Sequence, residues 1–555
     1  MYVSKKHFLC NKKLRKAFIY LFVVLISARC AQITPLTGGK KDAAQPKVLR
    51  YNPENASLNF TSKQITIQFD EYIRLKDIAN QFIITPQTKE MPEIQANGKT
   101  LKITFNETLI PNATYKLSFG NAIIDLHEGN AIQNFEYIFS TGNTIDSLKL
   151  SGQVLNAYDR KPVAKLLIGL YQANASDSVV YKDKPLYISK TDEAGNYSFN
   201  YLPNAFFKLV AINDGNKNLL YDGSEEQIAY QDTLINPNDG VPSNLLLFKE
   251  VPFKSFIKRN SFIEYGKVII AFNKPQKDIK SVLAKNLLSY TKNATLDTLT
   301  LYYDNLFDTI QPIILYQTKK ADTITIRIPS AETIVKQRKN NTIKYSLQSN
   351  ISSILPYYAL PQFELNFPIE RKNIYENKIT LVEQKDTIKT KKTITILKNG
   401  SSVNTFTIQA EFKPETNYTL TVNKNALNDS IYGRANDSIS YKFTTTSPDD
   451  YAQLNLKLLF PKKENYIVLL LNDKEQLIKK TLVEFSLTST SEKLIAYKNI
   501  LPGNYFMRVV EDTNKNRLFD TGNYFLHQQP EPVFINTTAI KLLAGWEIEN
   551  EWIVK

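Results

Sequence analysis

Two short stretches of this chain, DGNKNLLYD from Asp214 and DTNKNRLFD from Asp512, set oxygen-bearing side chains at positions 1, 3, 5 and 9 of a loop. Calcium is a hard cation that takes six to eight oxygen ligands, and its best-known loop draws them from positions 1, 3, 5, 7, 9 and 12. In the first stretch those positions are Asp214, Asn216, Asn218, the backbone carbonyl of Leu220, Asp222 and Glu225. In the second, Asp512, Asn514, Asn516 and Asp520 keep the pattern, but Asn523 stands at position 12, so the carboxylate supply is poorer. Both depart from the template at position 6, where Leu219 and Arg517 replace the turn-making Gly, and the first follows a strand-like FKLVAI instead of a helix. The same letters suit a plain polar turn, because Asp and Asn hydrogen-bond to their own backbone and tolerate left-handed geometry. Calcium and turn are therefore both expected readings, and calcium is the only cofactor the sequence suggests.

Other chemistry is sparse. The three histidines are His7, His127 and His527, none in a zinc motif, and no nucleophile elbow, P-loop or dinucleotide-binding glycine pattern is present. The carboxylate pair Glu225 and Glu226 lies in a polar stretch where a solvated pair is the ordinary outcome. No enzyme is expected. A different pattern, Asp followed by Ser or Thr and an aliphatic residue, places hydroxyls at Ser147, Ser178, Thr233, Thr298, Thr309, Thr323, Thr387, Ser430 and Ser438. It resembles the O-glycosylation acceptor of exported Bacteroidota proteins, and it is also a natural turn-into-strand junction.

The N-terminus determines where such chemistry would operate. KKHFLCNKKLRK is a basic segment, and AFIYLFVVLIS is an apolar run too short to span a bilayer. ISARC then ends at Cys30. This resembles a bacterial lipoprotein signal, which implies removal of residues 1–29 and acylation of Cys30. Arg29 departs from the small residue usual before that cysteine, and an ordinary signal peptide or uncleaved anchor is the alternative. Cys10 and Cys30 are the only cysteines, so the mature domains must stand without a disulfide. Residues 1–29 hold seven cations and no acids; without them the formal charge falls from +15 to +8. Spread over the remaining chain, that is too diffuse for a nucleic-acid partner.

The elements that must position these residues are strands. KQITIQF, KTLKITF and DTITIRI alternate apolar and polar residues, turn letters bound them, and no long helical periodicity follows residue 30. The fold class is all-β, as tandem β-sandwiches. Residues 30–46 read as a lipidated flexible tether. Residues 47–143, with NP…A, L.P…Y.L and a closing F.T strand, resemble the SbsA-type bacterial Ig-like domain. Residues 146–247 carry GQV, Thr191, Asp192, Gly195, Tyr197 and Phe199, and resemble the carboxypeptidase-regulatory or prealbumin-like sandwich. Residues 248–345 are β-rich and match no family.

Three segments then return in the same order: PNATYKLSFG as PETNYTLTVN, EYIFSTG as SYKFTTT, and LPNAFFKLVAINDGNKN as LPGNYFMRVVEDTNKN. A duplicated two-domain unit is expected, with a divergent Ig-like copy at 346–447 and a divergent prealbumin-like copy at 451–541. A tail at 542–555 follows, in which Trp546 and Trp552 read as a closing strand packed on the last domain. The whole resembles Bacteroidota outer-membrane lipoproteins with Ig-like domains. That resemblance implies a non-catalytic scaffold held to the outer membrane by its lipid, with an envelope protein as partner. CAQIT lacks the acidic residues of surface-exposed members, which tilts toward the periplasmic face and leaves the surface face as the alternative. An accessory subunit of an outer-membrane machine and a carbohydrate-binding module are the rival expectations.

Overall fold

The computed structural model describes residues 43–264, 267–277, 279–284, 287–293, 295–303, 310–317, 321–327, 346–366, 368–398, 402–428, 435–486 and 490–555. Cys30, its signal segment, Thr309 and Ser430 lie outside them. Two compact units divide the chain, residues 1–145 and 146–555.

The first unit builds a sandwich from alternating strands. In Gln64–Phe69 the residues Ile65, Ile67 and Phe69 are buried while Gln64 and Gln68 are exposed, the two-residue period of a half-buried sheet. That strand sits in a four-stranded sheet with Val48–Asn52, Thr100–Thr104 and Glu93–Asn97; Ile83–Thr85, Thr114–Gly120 and Phe135–Ser140 form the facing three-stranded sheet. Phe60, Phe69, Tyr115, Phe119 and Phe139 fill the space between, each buried aromatic contributing ~1.5–3 kcal/mol. Tyr115 Oη accepts the Ile110 N–H at 2.8 Å, and Thr141 Oγ1 accepts the Ala113 N–H at 3.0 Å while donating to the Ile110 carbonyl at 2.7 Å.

The second unit repeats that brace at residues 346–447. Tyr418 Oη accepts the Lys413 N–H at 2.8 Å, and Thr445 Oγ1 accepts from Thr416 N–H at 3.0 Å and donates to the Lys413 carbonyl at 2.5 Å. The sheet order repeats as well. Leu347–Ser349, Gln362–Leu365, Thr405–Gln409 and Thr395–Lys398 form one sheet; Ile354–Leu355, Ile439–Thr445, Asn417–Val422, Ile379–Lys385 and Ile388–Lys392 form the other, with Ile388–Lys392 at its edge. Residues 257–327 hold two further antiparallel sheets around Val268, Ile270, Leu299, Leu301 and Tyr303.

The segments 146–249 and 452–553 give the clearest duplication. The first has β1 (Leu148–Asn156), β2 (Leu167–Gln172), β3 (Tyr187–Lys190), β4 (Asn196–Leu202), β5 (Phe207–Ile212), β6 (Gln227–Tyr230) and β7 (Leu245–Lys249). The last has β8 (Ala452–Leu459), β9 (Tyr466–Asn472), β10 (Leu477–Val483), β11 (Glu492–Ile500), β12 (Gly503–Glu511), β13 (Val533–Leu542) and β14 (Glu547–Ile553). The first runs β3-β2-β5-β6-β7-β1-β4 as one sheet. The last runs β10-β9-β12-β13 and β14-β8-β11, the same order with only the rung between its sixth and seventh strands missing. Residues 542–555 thus include the strand that lies parallel to β8, with Ile548 and Trp552 on the core.

Candidate functional site: the paired Asp/Asn loops and the junction they brace

Each loop leaves the equivalent strand of its sandwich, β5 or β12, and folds by the same hydrogen bonds. Asp214 Oδ1 accepts the Asn218 N–H at 3.2 Å and Oδ2 the Leu219 N–H at 2.9 Å; Asp512 accepts from Asn516 at 3.0 Å and Arg517 at 2.8 Å. Asn216 and Asn218 accept backbone N–H groups two residues on, from Asn218 and Leu220, as do Asn514 and Asn516 from Asn516 and Leu518. Their amide nitrogens turn to the position-9 carboxylate, Asp222 or Asp520. Leu219 and Arg517 hold φ of 64° and 66°, so position 6 takes the left-handed backbone of the calcium template without its glycine.

Position 12 differs from expectation. Glu225 is exposed in the short turn Gly223–Glu225, and its neighbour Glu226 closes the loop instead. Glu226 Oε1 accepts the Gly215 N–H at 3.0 Å and Oε2 the Asp222 N–H at 3.1 Å. Glu531 does the same in the second loop, accepting Thr513 N–H at 2.8 Å and Asp520 N–H at 2.9 Å. Burial pushes the Glu531 carboxyl above the usual range, against the pull of those N–H groups. Glu226 directly precedes β6 and Glu531 stands two residues before β13, so aligning the copies by those strands would have found them.

Asp520 also meets Lys277 Nζ at 3.1 Å. Burial opposes its ionisation, yet hydrogen bonds from Asn514 and Lys277 bring the carboxyl below the usual range. The pair stands in a cleft of ≈ 800 Å³ between the second loop and residues 274–277.

From loop to closing glutamate the second copy is seven residues longer, Asp512 to Glu531 against Asp214 to Glu226. That extra length docks on the first sandwich. Tyr524, 3% exposed, enters a core with Tyr171, Val180, Tyr221, Tyr230 and Phe248, and meets the Tyr230 ring edge-on at 5.1 Å. Its N–H donates to Glu250 Oε1 at 2.6 Å, while Glu250 Oε2 accepts the Tyr221 hydroxyl at 2.7 Å. Thr521 Oγ1 donates to the Lys249 carbonyl at 2.8 Å, Gln529 Nε2 to the Tyr230 carbonyl at 3.1 Å, and His527 Nε2 lies 2.9 Å from Asp177 Oδ2. A side chain on Gly522 would meet the Phe248 ring at 2.6 Å, so the approach requires glycine. Burial raises the phenols of Tyr221, Tyr230 and Tyr524 well above their usual range, so they remain neutral.

On the far side, Arg508 places its guanidinium 4.4 Å over the Tyr158 ring and 3.6 Å from Glu475, which also pairs with Lys161. Phe519 packs on Tyr158 at 5.0 Å, and Arg160 Nε donates to the Val533 carbonyl at 3.1 Å.

The remaining candidate residues lie apart from this junction. Ser147, Thr233, Thr387 and Ser438 are exposed. Thr298 is partly buried and donates to its own Asp297 at 2.9 Å, and Ser178 lies 2.8 Å from Ser176 beside the helical turn Val179–Lys182. Thr323 belongs to the strand Ala321–Arg327.

Residues 42–141 match the family model of the bacterial Ig-like domain. No curated protein matches the chain. Among solved structures, the S-layer protein rSbsC is similar over 95% of this chain and 69% of its own, at 11% identity and a TM-score of 0.14. The major pilin subunit of Bacillus cereus covers 73% of this chain and 99% of its own, at 9% identity and a TM-score of 0.14. A Salmonella alpha-2-macroglobulin covers 90% and 34%, at 8% identity and a TM-score of 0.14.

Proposed function

We propose that this chain is a non-catalytic scaffold anchored in the bacterial outer membrane through a lipid on Cys30, offering its β-sandwiches to an envelope protein partner. The observation that carries the reading is the shared core of the two prealbumin-like sandwiches, in which Tyr524 is buried among residues of the first. A linker between independent domains leaves them free to reorient. Here sandwiches about three hundred residues apart are joined by buried aromatics and hydrogen bonds, an arrangement suited to holding surfaces at fixed spacing. The junction also engages His527, the one histidine of the second unit, with Asp177 across the interface. The polar groups there hold the domains together.

Anchoring rests on the basic and apolar segments that end at Cys30. More than one acyl chain on that cysteine would give stable attachment, since a single chain binds membranes only reversibly. The test is fractionation followed by gentle solubilisation. The chain is expected in the membrane fraction, the Cys30→Ala variant in the soluble fraction, and a stoichiometric envelope protein is expected to co-purify. An unchanged distribution of the variant would remove the anchor, and recovery of the chain without any partner would remove the scaffold.

A further inference from the structure

The missing rung between β13 and β14 leaves open an edge whose equivalent in the first sandwich is partly paired. There, β6 pairs with β7 through Gln227↔Lys249 and Ile228↔Phe248. In the last sandwich β14 pairs only with β8, from Gln453↔Glu547 to Leu459↔Ile553, and its other side forms no ladder with any described strand. Every second N–H and C=O of that seven-residue strand points to the open side, a ready template for another strand.

The side chains on this edge carry one sign. Ile548 and Trp552 turn to the core, so Glu547, Glu549 and Glu551 share the outward face, all exposed. Lys457 lies 3.5 Å from Glu551 and answers only part of that charge.

A second open edge carries the opposite sign. Ile388–Lys392, sequence IKTKK, ends the five-stranded sheet of the 346–447 sandwich. Lys389 and Lys391 point to one face and are exposed; across the ladder they meet Gln384 and Val382, neither of which is acidic. Ile388 on this edge is 69% exposed. β10 is also an edge with lysines, but Lys479 and Lys480 fall on opposite faces and Lys480 already donates to the Arg517 carbonyl.

We propose that the acidic edge β14 of one copy of this chain pairs with the basic edge Ile388–Lys392 of the next, head to tail. Directly opposed unlike charges stabilise a strand pair and like charges weaken it. Two β14 edges would set glutamate against glutamate, and two Ile388–Lys392 edges lysine against lysine. Charge therefore selects the heterologous contact, which propagates into a ring or an open row.

The test is sedimentation velocity on the full chain purified from membranes in mild detergent, over a range of concentrations at low and high salt. Wild type is expected to self-associate, more weakly at high salt. Glu549→Lys/Glu551→Lys has two basic edges and Lys389→Glu/Lys391→Glu two acidic ones. Each alone is expected to lose association by about tenfold or more, and an equimolar mixture to regain it. An unchanged circular dichroism spectrum identifies the folded variants, and Glu549→Lys with Lys391→Glu replaces any double variant that does not fold. Co-expressed chains bearing Glu549→Cys and Lys391→Cys are expected to form a disulfide with each other when a mild thiol oxidant is added to accept the two electrons, and Cys10 and Cys30 are the only native cysteines to control for. A monomeric wild type at every concentration, a mixture that stays dissociated, or a cross-link formed by Glu549→Cys alone would each overturn the proposal.

Discussion

The N–H of Tyr524 donates to Glu250 Oε1 at 2.6 Å, across a boundary between sandwiches that are far apart in sequence. The other oxygen of Glu250 holds the Tyr221 hydroxyl at 2.7 Å, so one carboxylate serves both domains. Replacing Glu250 by Ala leaves two buried donors without an acceptor, at ~1–3 kcal/mol each. Tyr524→Ala removes an aromatic from the shared core and is expected to cost ~3–5 kcal/mol. In urea unfolding of the full chain, both variants should separate a first transition for the two sandwiches that share this core from that of the other domains. A single unshifted transition would mean that the junction adds nothing.

Acid should act on the junction in two opposite senses. Hydrogen bonds from Lys208 and His527 hold the Asp177 carboxyl below its usual range. A depressed carboxyl contributes stability above its unfolded pKa, ~3.9, and loses it as pH falls through the lower folded value. Burial raises Glu531, so its folded form binds a proton more readily than the unfolded chain does. Stability from that site grows as pH falls from above the folded value toward the unfolded one, ~4.3. Thermal melts from pH 7 to 3 should show wild type gaining on Glu531→Gln first. Below about pH 4, Asp177→Asn should lose less than wild type. Parallel curves for all three proteins would contradict both assignments. Asp177 is partly exposed, so its share is small and diminished by salt.

Some of this architecture is legible in the sequence for a physical reason. Period-2 strands such as Gln64–Phe69 expose their burial pattern in the letters themselves, and the duplicated order is legible because matching strand and turn letters return in the second copy. The junction is a different case. Tyr524 and His527 sit in an insertion, TGNYFLHQQP, with no strand periodicity, and their partners Glu250 and Asp177 are set by tertiary packing. Glu226 and Glu531 escape the calcium template because it counts from the first Asp, whereas these carboxylates are placed by the strand that follows. Nor does the sequence show that β14 keeps an open edge; that depends on whether β13 reaches it.

The Asp-Ser/Thr-aliphatic pattern sorts by exposure. An enzyme that glycosylates a folded or folding chain needs the hydroxyl in solvent, which Ser147, Thr233, Thr387 and Ser438 offer. Thr298, tied to Asp297 and partly buried, is a poorer acceptor. We propose that modification of the native protein falls on those four described positions before Thr298. Intact mass of protein from its own host, compared with protein made in a host without the pathway, reads this directly. An identical mass would end the glycosylation reading, and glycan at Thr298 with none at Thr387 would reverse the exposure argument.

The two Asp/Asn loops should separate in a calcium titration. Their backbone is the same, including left-handed Leu219 and Arg517, so the difference lies in what already sits on the position-9 carboxylate. Asp520 is paired with the Lys277 ammonium at 3.1 Å, and a divalent cation would have to displace it. Of the two we propose the first, with Asp214, Asn216, Asn218 and Asp222, as the calcium loop; Asn216 and Asn218 would need to turn their amide oxygens, now bonded to backbone N–H groups, toward the ion. Calorimetry on the full chain is then expected to give one weak binding event, lost in Asp222→Asn and retained in Asp520→Asn. Lys277→Ala should open the second loop and add a second event. No heat in wild type, together with a melting temperature unmoved by chelator, would leave both loops as polar turns whose carboxylates serve only the backbone.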